Sequence, residues 1–364
     1  MEVGVLGGGQ LGRMLALAGY PLGVRCAVYD PAPDACAGQV APHLCAPYDD
    51  ADALARFAHG KRVITYEFEN VPLETARQLE ASTPVRPTPR ALELFQDRLQ
   101  EKQFLRTVGI PTPEFAPVDW NDPTRALAQV GCPCVVKTRR GGYDGKGQAI
   151  AHTPDEYLRA VNRLGNQPLI VEAFVPFERE LSVIGVRGLD GEMRAYPLVE
   201  NRHHEGILRL SIAPAPDSDA LLPLAQRYIE QLADALGYVG VLTLELFQVG
   251  GQLLANEVAP RVHNSGHWTI EGAYTSQFEN HLRAIVGLPL GSTVARGVCA
   301  MVNLIGNLPP TESILRVEGA RLHLYGKPPR AGRKVGHITL CADEYATLRH
   351  RLEQMAPVCS DTSW

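Results

Sequence analysis

Residues 239–261, VGVLTLELFQVGGQLLANEVAPR, constrain this chain more than any other stretch. Two apolar runs flank Gly250-Gly251, and adjacent glycines supply the positive φ angles a tight hairpin turn needs. The segment reads as an antiparallel pair of strands. Each strand carries a carboxylate in apolar company, Glu245 in LTLELF and Glu257 in LLANEVAP. A buried, unpaired carboxylate is costly, so the two point to a cavity and to a cation such as Mg2+. Asn256 adds a neutral oxygen beside them. Acids on a solvent-facing strand would give the same string, and register separates the two readings. A strict two-residue turn pairs Glu245 with Asn256 and sends Glu257 to the opposite face. A longer loop or one bulge pairs Glu245 with Glu257 instead. A shared metal site therefore predicts an irregular turn at 250–252 and both glutamates on one face.

A second unusual stretch lies upstream. CPCVVKT reads as a short buried strand that delivers Lys137, and TRRGGYDGKGQ follows at 138–148. Gly141, Gly142, Gly145 and Gly147 let the backbone approach a polyphosphate closely, and Lys137 and Lys146 offer point charges. No G-K-[ST] opens a helix here, so the loop is not of the Walker A type. A mobile hairpin tip with incidental charges is the alternative. QPLIVEAFVPFERELSVIGVRG then reads as two strands, and LLPLAQRYIEQLADALG as a long helix.

The N-terminus, MEVGVLGGGQLGRMLALAGYPLGVRCAVYDP, reads as strand, glycine turn, helix, strand. Gly7, Gly9 and Gly12 fit G-x-G-x-x-G, and Asp30 closes the second strand where a ribose-binding acid would stand. This turn fits either a dinucleotide site, hence an NAD-dependent dehydrogenase, or a tight structural turn in a parallel βαβ domain. RALELFQDRLQEKQFLRTVG has apolar residues at helical spacing and reads as one helix.

Two further clusters stand out. RVHNSGH brings Arg261, His263, Asn264, Ser265 and His267 into a few residues, fit for a substrate wall or a hydrogen-bonded turn. Lys327, Arg330, Arg333 and Lys334 crowd one turn, which suits a phosphate ester or a solvated surface equally. His203-His204 lacks metal-ligand spacing and reads as surface. The formal net charge of -5 argues against a general nucleic-acid binder. The 8 cysteines form no zinc pattern, no apolar run is long enough for a bilayer, and the N-terminus does not read as a signal peptide. A reducing, cytoplasmic setting is the expectation.

Taken together, GGGQLGRM, YEFENV, QDRLQEKQFL, VVKTRRGGYDGKGQ, IVEAFVPFERELSVI, NEVAPRVHNSGHWT and YGKPPRAGRKVGH resemble the ATP-grasp enzymes, and within them the N5-carboxyaminoimidazole ribonucleotide synthetase family. The match runs nearly end to end. It implies α/β and α+β architecture: an N-terminal α/β pre-ATP-grasp domain at 1–108, a small lid at 109–186, and a large domain with C-terminal strands at 187–364. It implies ATP, bicarbonate and 5-aminoimidazole ribonucleotide as substrates, Mg2+ without biotin, and a homodimer. Another ATP-grasp carboxylate–amine ligase is the nearest alternative activity. By this resemblance Arg98, Lys137 and the loop from Gly141 to Gly147 meet the nucleotide phosphates. Glu172, Ala173, Phe174 and Val175 meet adenine, Glu180 the ribose, and His203 and Asn256 border the nucleotide. Glu245 and Glu257 hold Mg2+. Tyr143, Asp144, Arg261, His263, Lys327, Arg333, Lys334 and Gln10 surround the ribonucleotide, with Tyr143, Asp144, Arg261 and His263 closest to the chemistry.

Overall fold

The structure, a computed structural model, describes residues 1–142 and 144–359. The expectation for Tyr143 lies outside the described residues. Among those residues three sheets form. The first contains β1 (Glu2–Leu6), β2 (Arg25–Tyr29), β3 (His43–Leu44) and β4 (Val63–Tyr66), all parallel in the order β3-β2-β1-β4. Helices pass over its faces, so β1 and β4 read as continuous apolar runs with Val3, Val5, Val63 and Ile64 fully buried.

The second sheet holds β5 (Phe115–Pro117), β6 (Cys134–Thr138), β7 (Gln148–Ala151) and β8 (Leu169–Ala173), antiparallel in the order β5-β8-β6-β7. Burial alternates along β7, and the inner face packs on Tyr157, Ala160 and Val161 of the helix Pro154–Leu164.

The third sheet contains β9 (Arg179–Arg187), β10 (Met193–Ala195), β11 (Val199–His204), β12 (Ile207–Ala213), β13 (Gly240–Val249), β14 (Gln252–Ala259), β15 (Val298–Ile305), β16 (Ala320–Leu324) and β17 (Lys334–Ala342). Its order is β14-β13-β9-β11-β12-β15-β17-β16, with β10 on β9. Pairing of β12 with β15 makes the C-terminal strands a continuation of the sheet that carries the hairpin. The helix Gln277–Val286 joins this sheet to the first. Phe278, Leu282 and Ile285 lie in one core with Val3 and Val5 on one side and Ile184 and Val241 on the other. Each such apolar side chain contributes about 1.5–3 kcal/mol by leaving water.

The stretch 90–109 departs from expectation. It forms two helices, Pro89–Phe95 and Arg98–Thr107, not one. Asp97 breaks them: its carboxylate accepts from the backbone N–H of Leu99 and takes both arms of the Arg139 guanidinium at 2.9 and 2.7 Å. An N-cap acid held in this way restarts the chain in a new direction, which points Arg98 toward the centre of the molecule. No helix among the described residues is long and apolar enough to cross a membrane.

Candidate active site

The predicted hairpin forms, but its irregularity is displaced. Val249 pairs with Gln252, so Gly250 and Gly251 make a regular two-residue turn with φ of 52° and 77°. The expectation of an irregular turn at 250–252 is therefore corrected. The register shifts further along, where Glu245 pairs with Glu257 and Leu246 with Ala255. Asn256 is the extra residue of a bulge. Glu245 and Glu257 thus face each other on one side of the sheet, as the metal-site reading required.

The bulge is held from the helix Arg98–Thr107. Lys102 donates to the carbonyls of Asn256 at 2.7 Å and Ala255 at 3.2 Å, and Glu101 accepts from the backbone N–H of Val258 at 2.5 Å. Both side chains are about 1% exposed. Burial together with the negative charge of Glu257 pushes the Glu101 carboxyl up to about 8. The sequence had one signal for this role: Arg98 and Lys102 stand four apart on a helix and so share a face.

The two glutamates open into a cleft of about 640 Å³ between the three sheets, a size that suits a small-molecule site. Burial drives the Glu245 carboxyl up, but the hydrogen bond and charge of His263, 3.1 Å away, outweigh it and hold the group at about 2. Burial raises Glu257, with Arg98 opposing and Glu245 adding to the rise. Arg98 lies 3.7 Å from Glu257 and donates to the carbonyls of Thr138 and Gly142, tying the glycine loop to the hairpin. Among the described residues no group of three or more His, Cys, Asp or Glu is arranged to hold a metal alone. Two opposed carboxylates, one of them raised mainly by burial, still fit Mg2+, which keeps waters and phosphate oxygens in its remaining positions.

The glycine loop rests on the turn between β11 and β12. A Cβ on Gly206 would come within 2.5 Å of the Gly145 Cα, so this approach requires glycine on both sides. Asp144, with φ of 47°, accepts from Lys334 at 2.7 Å. Lys327 donates to Gln10. The basic turn and the N-terminal turn therefore meet at the same cleft as the loop. His203 is exposed, as the surface reading expected, and also borders the cleft with its Nδ1 against Glu180.

Arg261 also lines the cleft, and one edge of its guanidinium donates to both carboxylate oxygens of Glu69 from the YEFENV run. Burial acts against ionisation of Glu69, and Arg261 overcomes it to hold the carboxyl at about 2. Sequence reading assigned no role to Glu69. His263 is fixed from behind: its Nδ1 meets Ser265 Oγ at 2.8 Å, which meets Ser182 Oγ at 2.8 Å, to which Asn201 donates at 2.9 Å.

Of the other expected residues, Gly145, Lys146 and Asn256 also line the cleft. Lys137, Gly141, Gly142, Gly147, Ala173, Phe174, Val175 and Arg333 are not in its lining. Glu172 is buried outside the lining; its Oε2 bridges Lys137 at 3.1 Å and Lys102 at 3.2 Å, and its Oε1 has no hydrogen-bond partner in the protein.

The N-terminal turn closes the dinucleotide reading. The Glu67 carboxylate accepts from the backbone N–H of Gly9 at 2.8 Å and of Gly12 at 2.9 Å, and Asp30 accepts from Gly8 and Ala32. The anion position at this helix start is filled by the chain's own carboxylate, where a dehydrogenase would place pyrophosphate. The NAD-dependent alternative is corrected on that ground.

Residues 1–96 match the ribonucleotide synthetase preATP-grasp domain, 103–278 the ATP-grasp domain, and 299–351 the phosphoribosylaminoimidazole carboxylase C-terminal domain. The chain is 52% identical over 357 residues to the N5-carboxyaminoimidazole ribonucleotide synthase of Pseudomonas aeruginosa, covering 98% of each. It superposes on the N5-carboxyaminoimidazole ribonucleotide synthetase of Thermus thermophilus with a TM-score of 0.96 and 57% identity, covering 100% of this chain and 99% of that one. It is also similar to the Aspergillus clavatus enzyme crystallised with ADP and 5-aminoimidazole ribonucleotide, with a TM-score of 0.92, 32% identity, and 99% and 98% coverage.

Proposed function

Since the chain belongs to the N5-carboxyaminoimidazole ribonucleotide synthase family, with the ATP-grasp fold, we propose that its cleft uses ATP to carboxylate the exocyclic amine of 5-aminoimidazole ribonucleotide, a step of purine biosynthesis. The observation that carries this reading is the convergence of opposed carboxylates, a glycine loop and a basic turn on one cavity. The chain works in the cytoplasm as a homodimer, a state that light scattering checks.

Bicarbonate attacks the γ-phosphoryl group, the bond from phosphorus to the β,γ-bridging oxygen breaks, and ADP leaves as carboxyphosphate forms. The amine then takes the carboxyl carbon, directly or as CO2 released in the closed cleft, as phosphate departs and the amine proton passes to Asp144 or to that phosphate. Little covalent work falls to the protein in such a transfer; it must position and neutralise. Glu245 and Glu257 would hold Mg2+, which supplies charge neutralisation at the phosphates when bound. Arg98 faces the phosphates from the cleft wall, and Lys137, held on Glu172 just outside the lining, would have to turn from it to reach them. Arg261, kept rigid by Glu69, offers a fixed cation to bicarbonate and the transferred oxyanions. His263 holds Glu245 in its ionised state. Lys327 and Lys334 take the substrate phosphate, and Asp144 reaches the amine from the loop. Carboxyphosphate is labile in water, so a glycine loop seated on the β11–β12 turn would serve the chemistry by closing further over the bound nucleotide.

The test is ADP release with and without bicarbonate and the ribonucleotide. Both must stimulate release, and label from bicarbonate must appear on the product nitrogen. Efficient turnover with an amino acid in place of bicarbonate would overturn the assignment.

A further inference from the structure

Outside the cleft, Cys299 on β15 and Cys341 on β17 are directly opposed cross-strand partners. Their Sγ atoms lie 3.0 Å apart, with Cys299 donating its S–H. Opposed residues in an antiparallel pair have Cα atoms about 4.5–5.5 Å apart, within the span of a disulfide. The two thiols differ in access. Cys299 is fully buried. Cys341 is partly exposed and lines a second surface cleft, rimmed by the cations Arg296 and Arg351 and the acids Asp343 and Glu344. Arg351 is fixed there by a bond to the Cys341 carbonyl and an ion pair with Glu318 at 3.0 Å. The hydrogen bond from Cys299 lowers the Cys341 thiol, and Arg321 and Arg351 push it the same way against burial and Glu271. Thiolate character and access make a cysteine reactive.

We propose that Cys341 and Cys299 form a reversible dithiol site, in which Cys341 attacks a small zwitterionic disulfide of amino-acid type and Cys299 resolves the product. The mixed charge of the rim matches such a ligand. The Cys341 thiolate forms a bond to one sulfur of the ligand and expels the other half as a thiolate, which takes up a proton. The Cys299 thiol gives up its proton and attacks Cys341 Sγ, expelling the second half as a thiolate. The protein loses two protons and two electrons, and the ligand is reduced to two thiols. The product staples β15 to β17 and does not depend on the activity proposed for the main cleft.

Oxidised glutathione is the probe, applied to the reduced full chain, followed by alkylation of free thiols, digestion and mass spectrometry. The expected product lacks two hydrogens and links the peptides that carry residues 299 and 341, with the other six of the 8 cysteines alkylated. In Cys299→Ser the adduct stalls as a glutathionyl group on Cys341, and in Cys341→Ser neither adduct nor link appears at these positions. Dithiothreitol reverses the link in the parent chain. A parent chain that stays fully alkylatable overturns the proposal, as does a link confined to Cys132 and Cys134, a second close thiol pair. A Cys341 adduct in the parent chain that Cys299 never resolves also overturns it.

Discussion

Lys102 donates to the carbonyl of Asn256 at 2.7 Å, and Asn256 is the residue the bulge leaves without a cross-strand partner. The two residues stand far apart in the sequence. The contact fixes the register in which Glu257 faces Glu245, because without the extra residue Asn256 would take that place. A scaffold lysine thereby decides which side chains look into the cleft.

Replacing that lysine separates its role from simple packing. Lys102→Met leaves Glu172 with a single cationic partner and leaves the Asn256 carbonyl without its lysine donor. It should destabilise the fold by about 3 kcal/mol, read by urea unfolding. It should also raise the Mg2+ concentration for half-maximal ADP release by about tenfold, that is about 1.4 kcal/mol, as the hairpin register loosens. Unchanged Mg2+ dependence in a folded Lys102→Met protein would show that the lysine does not set the register.

Glu257 trades stability for function. Burial and Glu245 raise its carboxyl, so its charge strains the folded state. Glu257→Gln should keep or raise the thermal midpoint while lowering kcat about 100-fold, a size typical for loss of one electrostatic stabiliser. Glu245→Gln should lower kcat as well but should not stabilise, because His263 already favours the ionised form.

The basic turn splits by position. Lys334 lines the cleft and holds Asp144, whereas Arg333 donates to Pro328 away from the lining. Lys334→Met should raise KM for the ribonucleotide about tenfold or more with little change in KM for ATP. Arg333→Ala should have a smaller effect. Equal losses in both mutants would assign the phosphate to the turn as a whole.

Asp144 should couple the two ligands. Asp144→Ala should leave KM for ATP within about twofold yet lose most of the stimulation of ATP cleavage by the ribonucleotide. Full stimulation in the mutant would reduce the loop to a cover over the phosphates.

Acid should destabilise the fold through buried neutral histidines. Burial pushes His281 down to about 3, and its Nδ1 accepts from the Val241 N–H while its Nε2 meets Thr65. His267 and His337 are also driven far below the usual range by burial. A group lowered on folding stabilises fully above its unfolded value, about 6.5 for His, and loses that contribution as pH falls toward the folded value. The thermal midpoint should therefore drop steadily from about pH 6.5 downward. His281→Asn should start lower and flatten the slope.

Some of this was legible in the sequence because it is local. The Gly250-Gly251 turn, the strand ending in Lys137 and the glycine loop each depend on residues within a few positions of one another, where backbone geometry and periodicity act directly. The motifs also carried the family and the membership of most cleft residues. What the tertiary structure decided was which remote group satisfies each buried polar atom. Glu67 fills the N-terminal glycine turn that reads as a dinucleotide site. Glu69 claims Arg261, and Asp97 splits an apparently continuous helix by holding Arg139. Lys102 moves the hairpin irregularity from the turn to Asn256. A buried charge or carbonyl must find a partner, but every such partner here is brought in by chain closure over tens to hundreds of residues. Periodicity along the chain does not carry that information; the packing of three sheets does.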